Sequence, residues 1–261
     1  MQGQKTSSGT VKKALNVLDH VASFGRPVRF VDVMADSVLP KGTLYRMLQT
    51  LRTEGMLTYD EDRQTYTPGM RLVRLAHSAW TQSSLAPVAR PFLDELSQTV
   101  GETIHLAQLV GAQVLYVDKR NAAQQIDMFS QAGKVGPAYC TGVGKAMLAF
   151  LPEQEQAAAL DQQSYHPFCP GTLTSRSALA EELKITRDRG YAFDREEHEP
   201  GIICVAVPVI GAGGHVFGAL SITSTTSRTT LAELERLVPA MREVAEKIAE
   251  TAQYWRFPVK Q

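Results

Sequence analysis

Apolar positions recur every three to four residues through the first third of the chain, and every second residue through much of the rest. That change of period divides the chain into elements. Val11, Leu15, Leu18 and Val21 fall at helical spacing and predict a helix over 11–22. "FGRP" breaks it, and "VRFVDVMADS" predicts a second, short helix. In "VLPKGTLYRMLQTLRTEG" the residues Leu44, Met47, Leu48 and Leu51 make one stripe at i, i+3, i+4 and i+7. Pro40 suits the first turn of this third helix and Gly55 its end. "MLTYD" and "QTYTPG" alternate and are joined by the polar "EDR", which predicts a small hairpin. An amphipathic helix follows over 69–83, with Leu72, Leu75, Ala76 and Trp80 apolar, and Pro87 and Pro91 punctuate the entry to another over 92–99.

From residue 101 the texture is that of strands. "TIHLAQLV", "QVLYVD" and "IDMFS" predict three, with "GA" as a tight turn between the first two. A helix is expected to begin at Gly142, another to run over 177–189, and a last one from Leu231 to about Ala252. Between the last two, "IICVAVPVI" and "VFGALSIT" flank "GAGG" as a second hairpin. Three helices followed by a hairpin predict a winged helix-turn-helix. Two sheet regions flanked by helices predict an α+β domain with an antiparallel sheet.

Charge sharpens the first half of that picture. The chain is balanced at 27 acidic and 27 basic residues, but residues 1–74 hold 11 Lys/Arg against 7 Asp/Glu, net +4, leaving 16 against 20, net −4. A basic end on an acidic remainder is the asymmetry expected where that end meets nucleic acid. The stripe of the third helix faces inward, which leaves Lys41, Thr43, Tyr45, Arg46, Gln49 and Arg52 on the other side. Lys41 and Arg46 suit phosphates, and Thr43, Tyr45 and Gln49 suit base edges near the start of a recognition helix. Arg63 stands at the hairpin tip, placed for the minor groove or the flanking backbone.

Other classes lose ground. Cys140, Cys169 and Cys204 are odd in number and far apart, which predicts no disulfide framework and a reducing, cytoplasmic setting. The opening "MQGQKTSSGT" has no apolar stretch for a signal peptide, and the most apolar run, Ile202 to Ile210, is too short to span a bilayer and contains Pro208. No Cys-x-x-Cys or His-x-x-x-His spacing predicts a metal site, and no cofactor is expected. His105 and His198 are the general-base candidates, without a nucleophile and orienting partner at useful spacing, so an enzyme is not expected.

"GPAYCTGVGKAMLAF", residues 136–150, has the look of a phosphate-binding loop. A Walker A loop needs glycine where Tyr139 stands, and a magnesium-binding hydroxyl where Ala146 follows Lys145. What remains is Thr141 as an N-cap, with Gly142 and Gly144 baring backbone amides, a helix start suited to a small anion.

Over nearly its whole length the chain resembles transcription regulators of the IclR family. The likeness lies in "VKKALNVLDHVASFG", "LPKGTLYRMLQTLRTEGML", "YTPGMRLVRLA", "ARPFLDELSQTVGETIHLA", "GKVGPAYCTGVGKAMLAFLP", "RGYAFDREEHEPGIICVAVPV" and "VFGALSIT". It implies a winged helix-turn-helix DNA-binding domain over 1–74, a linker helix over 75–85, and a GAF/profilin-like effector and oligomerisation domain with a curved antiparallel sheet over 86–261. It implies homodimers or homotetramers on palindromic double-stranded operators, with Lys41, Gly42, Thr43, Tyr45, Arg46, Gln49 and Arg63 toward DNA. It further implies a small organic acid as effector, its carboxylate taken by the amides of Gly142 and Val143. Asp194, Ile202, Cys204, Ala206, Ser221 and Thr223 would line the pocket, with Met128 in its wall. The effector-domain blocks and the terminal "YWRFPV" look most like the branch that senses 2-keto-3-deoxygluconate, and the expected action is that of a repressor released by its effector. Two departures from the family pattern stand in the helix-turn-helix: Val38-Leu39-Pro40 where Gly-Leu-Pro is usual, and Lys41-Gly42-Thr43 where Lys-Ser-Thr is common. An enzyme acting on a small carboxylated metabolite, or a sensory module that no longer binds DNA, are the alternatives.

Overall fold

The structure, a computed structural model, describes residues 8–124 and 126–254. Its contacts divide the chain into two compact units, the division falling between Ala79 and Trp80.

The first unit runs α1 (Ser8–Ser23), β1 (Val28–Arg29), α2 (Phe30–Ala35), α3 (Lys41–Thr53), β2 (Leu57–Asp60) and β3 (Thr65–Pro68), and α4 (Met70–Ser83) begins in it. The predicted stripe of α3 is its core face: Leu44, Leu48 and Leu51 are buried against Val17, Leu18 and Val21 of α1 and Val33 of α2. Each such leucine contributes about 1.5–3 kcal/mol. The Pro40 carbonyl accepts from the amides of Thr43 and Leu44 to start α3, and Gly55, with φ +68, leaves the helix at its end. Val28 and Arg29 are not part of the second helix, as the pattern suggested. They pair with β3, giving a three-stranded wing in the order β1-β3-β2, and Val28 is buried opposite Tyr66.

In the second unit α5 (Ala86–Val100) leads into β4 (Thr103–Val110), β5 (Gln113–Arg120) and β6 (Val135–Pro137). There follow α6 (Gly142–Leu148), α7 (Glu153–Asp161), α8 (Arg176–Arg189), β7 (Ala192–Arg195), β8 (Ile202–Ile210) and β9 (Val216–Thr225). The unit closes with α9 (Leu231–Glu235) and α10 (Val238–Tyr254). The two expected sheet regions are one curved antiparallel sheet, β6-β5-β4-β9-β8-β7, because β4 pairs with β9 from Thr103↔Thr223 to Ala107↔Ala219. Residues alternate between its faces. Ile104, Leu106, Val205 and Ile222 meet Leu93 of α5 and Met241 of α10, while Ala107, Ala206 and Ala219 meet Val143 and Met147 of α6 and Leu179 of α8.

Four local expectations fail for identifiable reasons. "IDMFS" is not a strand: the Phe129 amide donates to the Glu199 carboxylate at 3.1 Å, and β6 pairs with β5 in its stead. β7, which the pattern did not suggest, pairs with β8 through Asp194↔Cys204. Pro87 and Pro91 lie within α5 rather than before it; Pro87 sits in the first turn, where no donor is missed, and Pro91 withholds one bond from the Pro87 carbonyl. The last helix is broken between α9 and α10, because Pro239 has no N–H for the Glu235 carbonyl.

Candidate functional site

Two surfaces carry the chemistry, one in each unit. On α3, Lys41, Gly42, Tyr45 and Arg46 are exposed, and Thr43 and Gln49 half-buried. The side chains of Lys41 and Arg46 enter no ion pair among the described residues. Gln49 Nε2 donates to the Tyr66 hydroxyl at 3.4 Å. Arg52 donates to Glu61 at 2.7 Å and lies over the Tyr59 ring at 5.0 Å. Gln49 and Arg52 thus tie the helix to its wing, while Lys41 and Arg46 stay available. Arg63, between β2 and β3, has a side chain 78% exposed and a nearest carboxylate, Asp60, at 4.0 Å, a separation at which a surface pair contributes little. In the turn before α3, the Leu39 amide donates to Ser37 Oγ at 3.1 Å, and Val38 is 98% exposed. Val38 is not in the left-handed region, so this turn closes without the freedom a glycine would supply.

In the second unit, strand register assembles a row of polar groups across one face of the sheet. His105 lies opposite Ser221, Cys204 opposite Thr223, and Asp194 opposite Cys204. The start of α6 covers the row. A Cβ on Gly142 would collide with Cys204 Sγ and come 3.4 Å from Ala206 Cβ, so glycine is what lets the helix approach the sheet. The cavity between them measures about 30 Å³, the share of a single water molecule. Gly142, Val143, Asp194, Ile202, Cys204, Ser221 and Thr223 line it. Met128 and Ala206 are buried but do not; Ala206 lies beneath Gly142. His105, Tyr116, Ser130, Thr141, His198 and Glu199 complete the lining, and the sequence did not single them out for it. Thr141 stands at the N-cap of α6 but does not cap it, because its hydroxyl donates to the Pro137 carbonyl at 2.8 Å.

The cup is polar yet buried, and the titrating groups record it. Burial, with the Glu197 carboxylate adding repulsion, raises Asp194 to about 7. Burial, then the Lys119 ammonium, lowers His105 to about 3, so its imidazole is neutral. Burial also pushes up the Cys204 and Cys140 thiols, which favours inert small hydrophobes over nucleophiles. The lysine that makes the loop resemble a phosphate site is consumed elsewhere. Lys145 is 0% exposed, paired with Glu197 and 4.0 Å from Glu182, and Glu182 in turn meets Arg195 at 3.1 Å and Arg189 at 3.2 Å. The Glu197 amide donates to Asp194 Oδ1 at 2.9 Å, so this ion-pair cluster braces the cup from behind. Among the described residues no three His, Cys, Asp or Glu side chains gather as metal ligands, and no helix is long and apolar enough to cross a membrane.

A profile of the IclR helix-turn-helix domain matches residues 10–61, and one of the bacterial transcriptional regulator IclR C-terminal domain matches residues 77–250. The chain belongs to the IclR family. Among its relatives, the HTH-type transcriptional regulator XynR of Escherichia coli (strain K12) is 34% identical over 245 residues, covering 94% of this chain and 97% of XynR. The HTH-type transcriptional regulator KdgR of the same organism is 31% identical over 255 residues, covering 98% and 97%. The crystal structure of the IclR of Thermotoga maritima, 30% identical, superposes with a TM-score of 0.74 over 94% of this chain and 99% of that one. This IclR-family chain is therefore a DNA-binding transcriptional regulator and not an enzyme. Of the terminal "YWRFPV", all but Tyr254 lies outside the described residues.

Proposed function

We propose that this IclR-family regulator is a repressor of catabolic genes, released from its operator when a small hydroxylated organic acid, such as a 2-keto sugar acid, enters the cup. The observation that carries the reading is the row of His105, Ser221, Thr223 and Asp194, buried together in one cup between the sheet and the start of α6. A few polar groups converging in a concave site are the usual make-up of a ligand pocket. The acid's carboxylate meets the Gly142 and Val143 amides, while Ile202 and Cys204 flank the ligand. Ser221 and Thr223 take its hydroxyls, and Asp194, its pKa raised by burial, serves as donor when protonated and acceptor when ionised. A cup of about 30 Å³ admits no such ligand until a wall moves, and a ligand that moves a wall favours one state of the protein over another.

On the DNA side, Lys41 and Arg46 hold phosphates, and Gly42, Thr43 and Tyr45 approach base edges. Gln49 joins them only by leaving Tyr66, and Arg63 of the wing contacts flanking backbone. Two copies of α3, supplied by a homodimer or homotetramer in the cytoplasm, meet the half-sites of a palindrome about one helical turn apart.

The test is thermal stability of the purified protein with 2-keto-3-deoxygluconate, glyoxylate, pyruvate, uronates and hydroxybenzoates. An acid present at about a hundred times its Kd adds about 2.7 kcal/mol and raises the unfolding midpoint. The same acid then releases the protein from DNA upstream of its own gene. Silence from every carboxylate overturns the cup; stabilisation without loss of DNA binding overturns the coupling.

A further inference from the structure

His105 stands on β4 at the centre of the polar row and is 2% exposed. Both of its ring nitrogens meet hydroxyls: Nε2 lies 2.8 Å from Ser130 Oγ, and Nδ1 lies 3.2 Å from Thr223 Oγ1. The Tyr116 ring packs edge-on at 5.4 Å, and Lys119 is the cross-strand neighbour. Burial and that ammonium keep the imidazole neutral. A neutral imidazole offers one donor and one acceptor, and a hydroxyl satisfies either. It offers no net charge to attract a second carboxylate. The chemistry of this position is that of hydroxyl recognition.

Ser130 belongs to the segment 126–130, which has no strand ladder of its own. Three contacts hold this segment against the cup: Ser130 Oγ to His105 Nε2, the Phe129 amide donated to Glu199 at 3.1 Å, and the Phe129 ring edge-on to His198 at 5.4 Å. With Ser130 in place the cavity is about 30 Å³, too small for anything much beyond a water. A ligand that enters beside His105 displaces Ser130. If it brings a hydroxyl, one hydrogen bond replaces another. If it brings only methylenes, a buried ring nitrogen is left without a partner, and an unmade buried hydrogen bond is far more costly than an exchanged one.

The geometry points to His105 as the residue that selects hydroxylated acids over plain ones, by exchanging its Ser130 partner for a ligand hydroxyl. This rests on the cup being the effector site. It adds the class of substituent that the site recognises, and it names the buried side chain that recognises it.

The test measures affinities by calorimetry for chain-matched pairs: 2-keto-3-deoxygluconate with 2-oxohexanoate, gluconate with hexanoate, and glycerate with propionate. The wild-type protein binds the hydroxylated member of at least one pair about tenfold more tightly. His105→Leu lowers that preference several-fold, to the part that Ser221 and Thr223 supply, and leaves the plain acid within about twofold. Ser130→Ala, which keeps His105 and frees its Nε2, tightens the hydroxylated member several-fold, and it decides the matter if the leucine variant does not fold. A hydroxyl preference undiminished by His105→Leu, or a Ser130→Ala variant that binds the hydroxylated acid no better than wild type, overturns the exchange while leaving the cup intact. Wild-type binding without hydroxyl preference overturns it as well. No binding of any acid by the wild-type protein overturns the effector-site reading itself, and this inference with it.

Discussion

Asp194 is the residue where burial most clearly shapes chemistry. Desolvation, then the Glu197 carboxylate, raises its pKa to about 7, against about 3.9 for the carboxyl in an unfolded chain. The folded state therefore holds this proton more tightly than the unfolded state. The stability it contributes is present at low pH and is lost as pH rises from about 4 to about 7. His105 acts with the opposite sign: lowered to about 3, it contributes stability above its unfolded value of about 6.5 that is lost as pH falls toward about 3. The two effects overlap in a wild-type profile, but the difference from Asp194→Asn isolates the carboxyl. Urea unfolding at a series of pH values should show the asparagine variant gaining on wild type by on the order of 2–3 kcal/mol between about pH 5 and about pH 8. A gap that does not change with pH would mean that Asp194 titrates normally in the folded protein.

At the scale of elements, α3 and the wing are one body, joined by Gln49 to Tyr66 and by Arg52 to Glu61 and Tyr59. That division of labour separates two substitutions on one helix. Arg46→Ala should weaken binding to every DNA sequence alike and reduce the slope of log affinity against log salt by about 1, because a phosphate contact releases about one counterion. Gln49→Ala should leave the salt slope unchanged and loosen the wing instead. Fluorescence anisotropy on operator and scrambled duplexes reads both, and an Arg46 effect confined to one base position would contradict the phosphate assignment. The same elements show what a single sequence makes legible. The stripe of α3 was plain because Leu44, Leu48 and Leu51 repeat at one helical period and face one core. β7 was hidden because Ala192, Phe193 and Asp194 are all buried, so no alternation marks them as a strand. "IDMFS" misled because burial alternates along it as in a strand, with Ile126, Met128 and Ser130 buried, while a side chain, Glu199, receives its Phe129 amide. In the cup, Cys204, Ser221 and Thr223 followed from alternation along two strands and from family likeness. His105 did not, because its place opposite Ser221 depends on the pairing of β4 with β9, residues far apart in the chain.

For the whole molecule, the two activities proposed here reside in units that the contacts separate near Ala79. A coupling between them is a free energy, and it is reciprocal. If an acid in the cup weakens operator binding by some factor, saturating operator must weaken acid binding by that same factor. A typical coupling of about 1–3 kcal/mol corresponds to about a 5- to 150-fold change. The measurement is a closed cycle: operator affinity with and without 2-keto-3-deoxygluconate, and affinity for that acid with and without operator, at one salt concentration. Salt must be held fixed because phosphate contacts make the DNA arm strongly salt-dependent. Equal weakening on both arms marks a regulator that its ligand releases from the operator, and equal strengthening on both marks one that its ligand holds there. A ligand that binds the cup and changes neither arm would leave α3 and the cup as independent sites, and the switch would then have to reside in assembly of copies, read as a change in oligomeric mass when the acid is added.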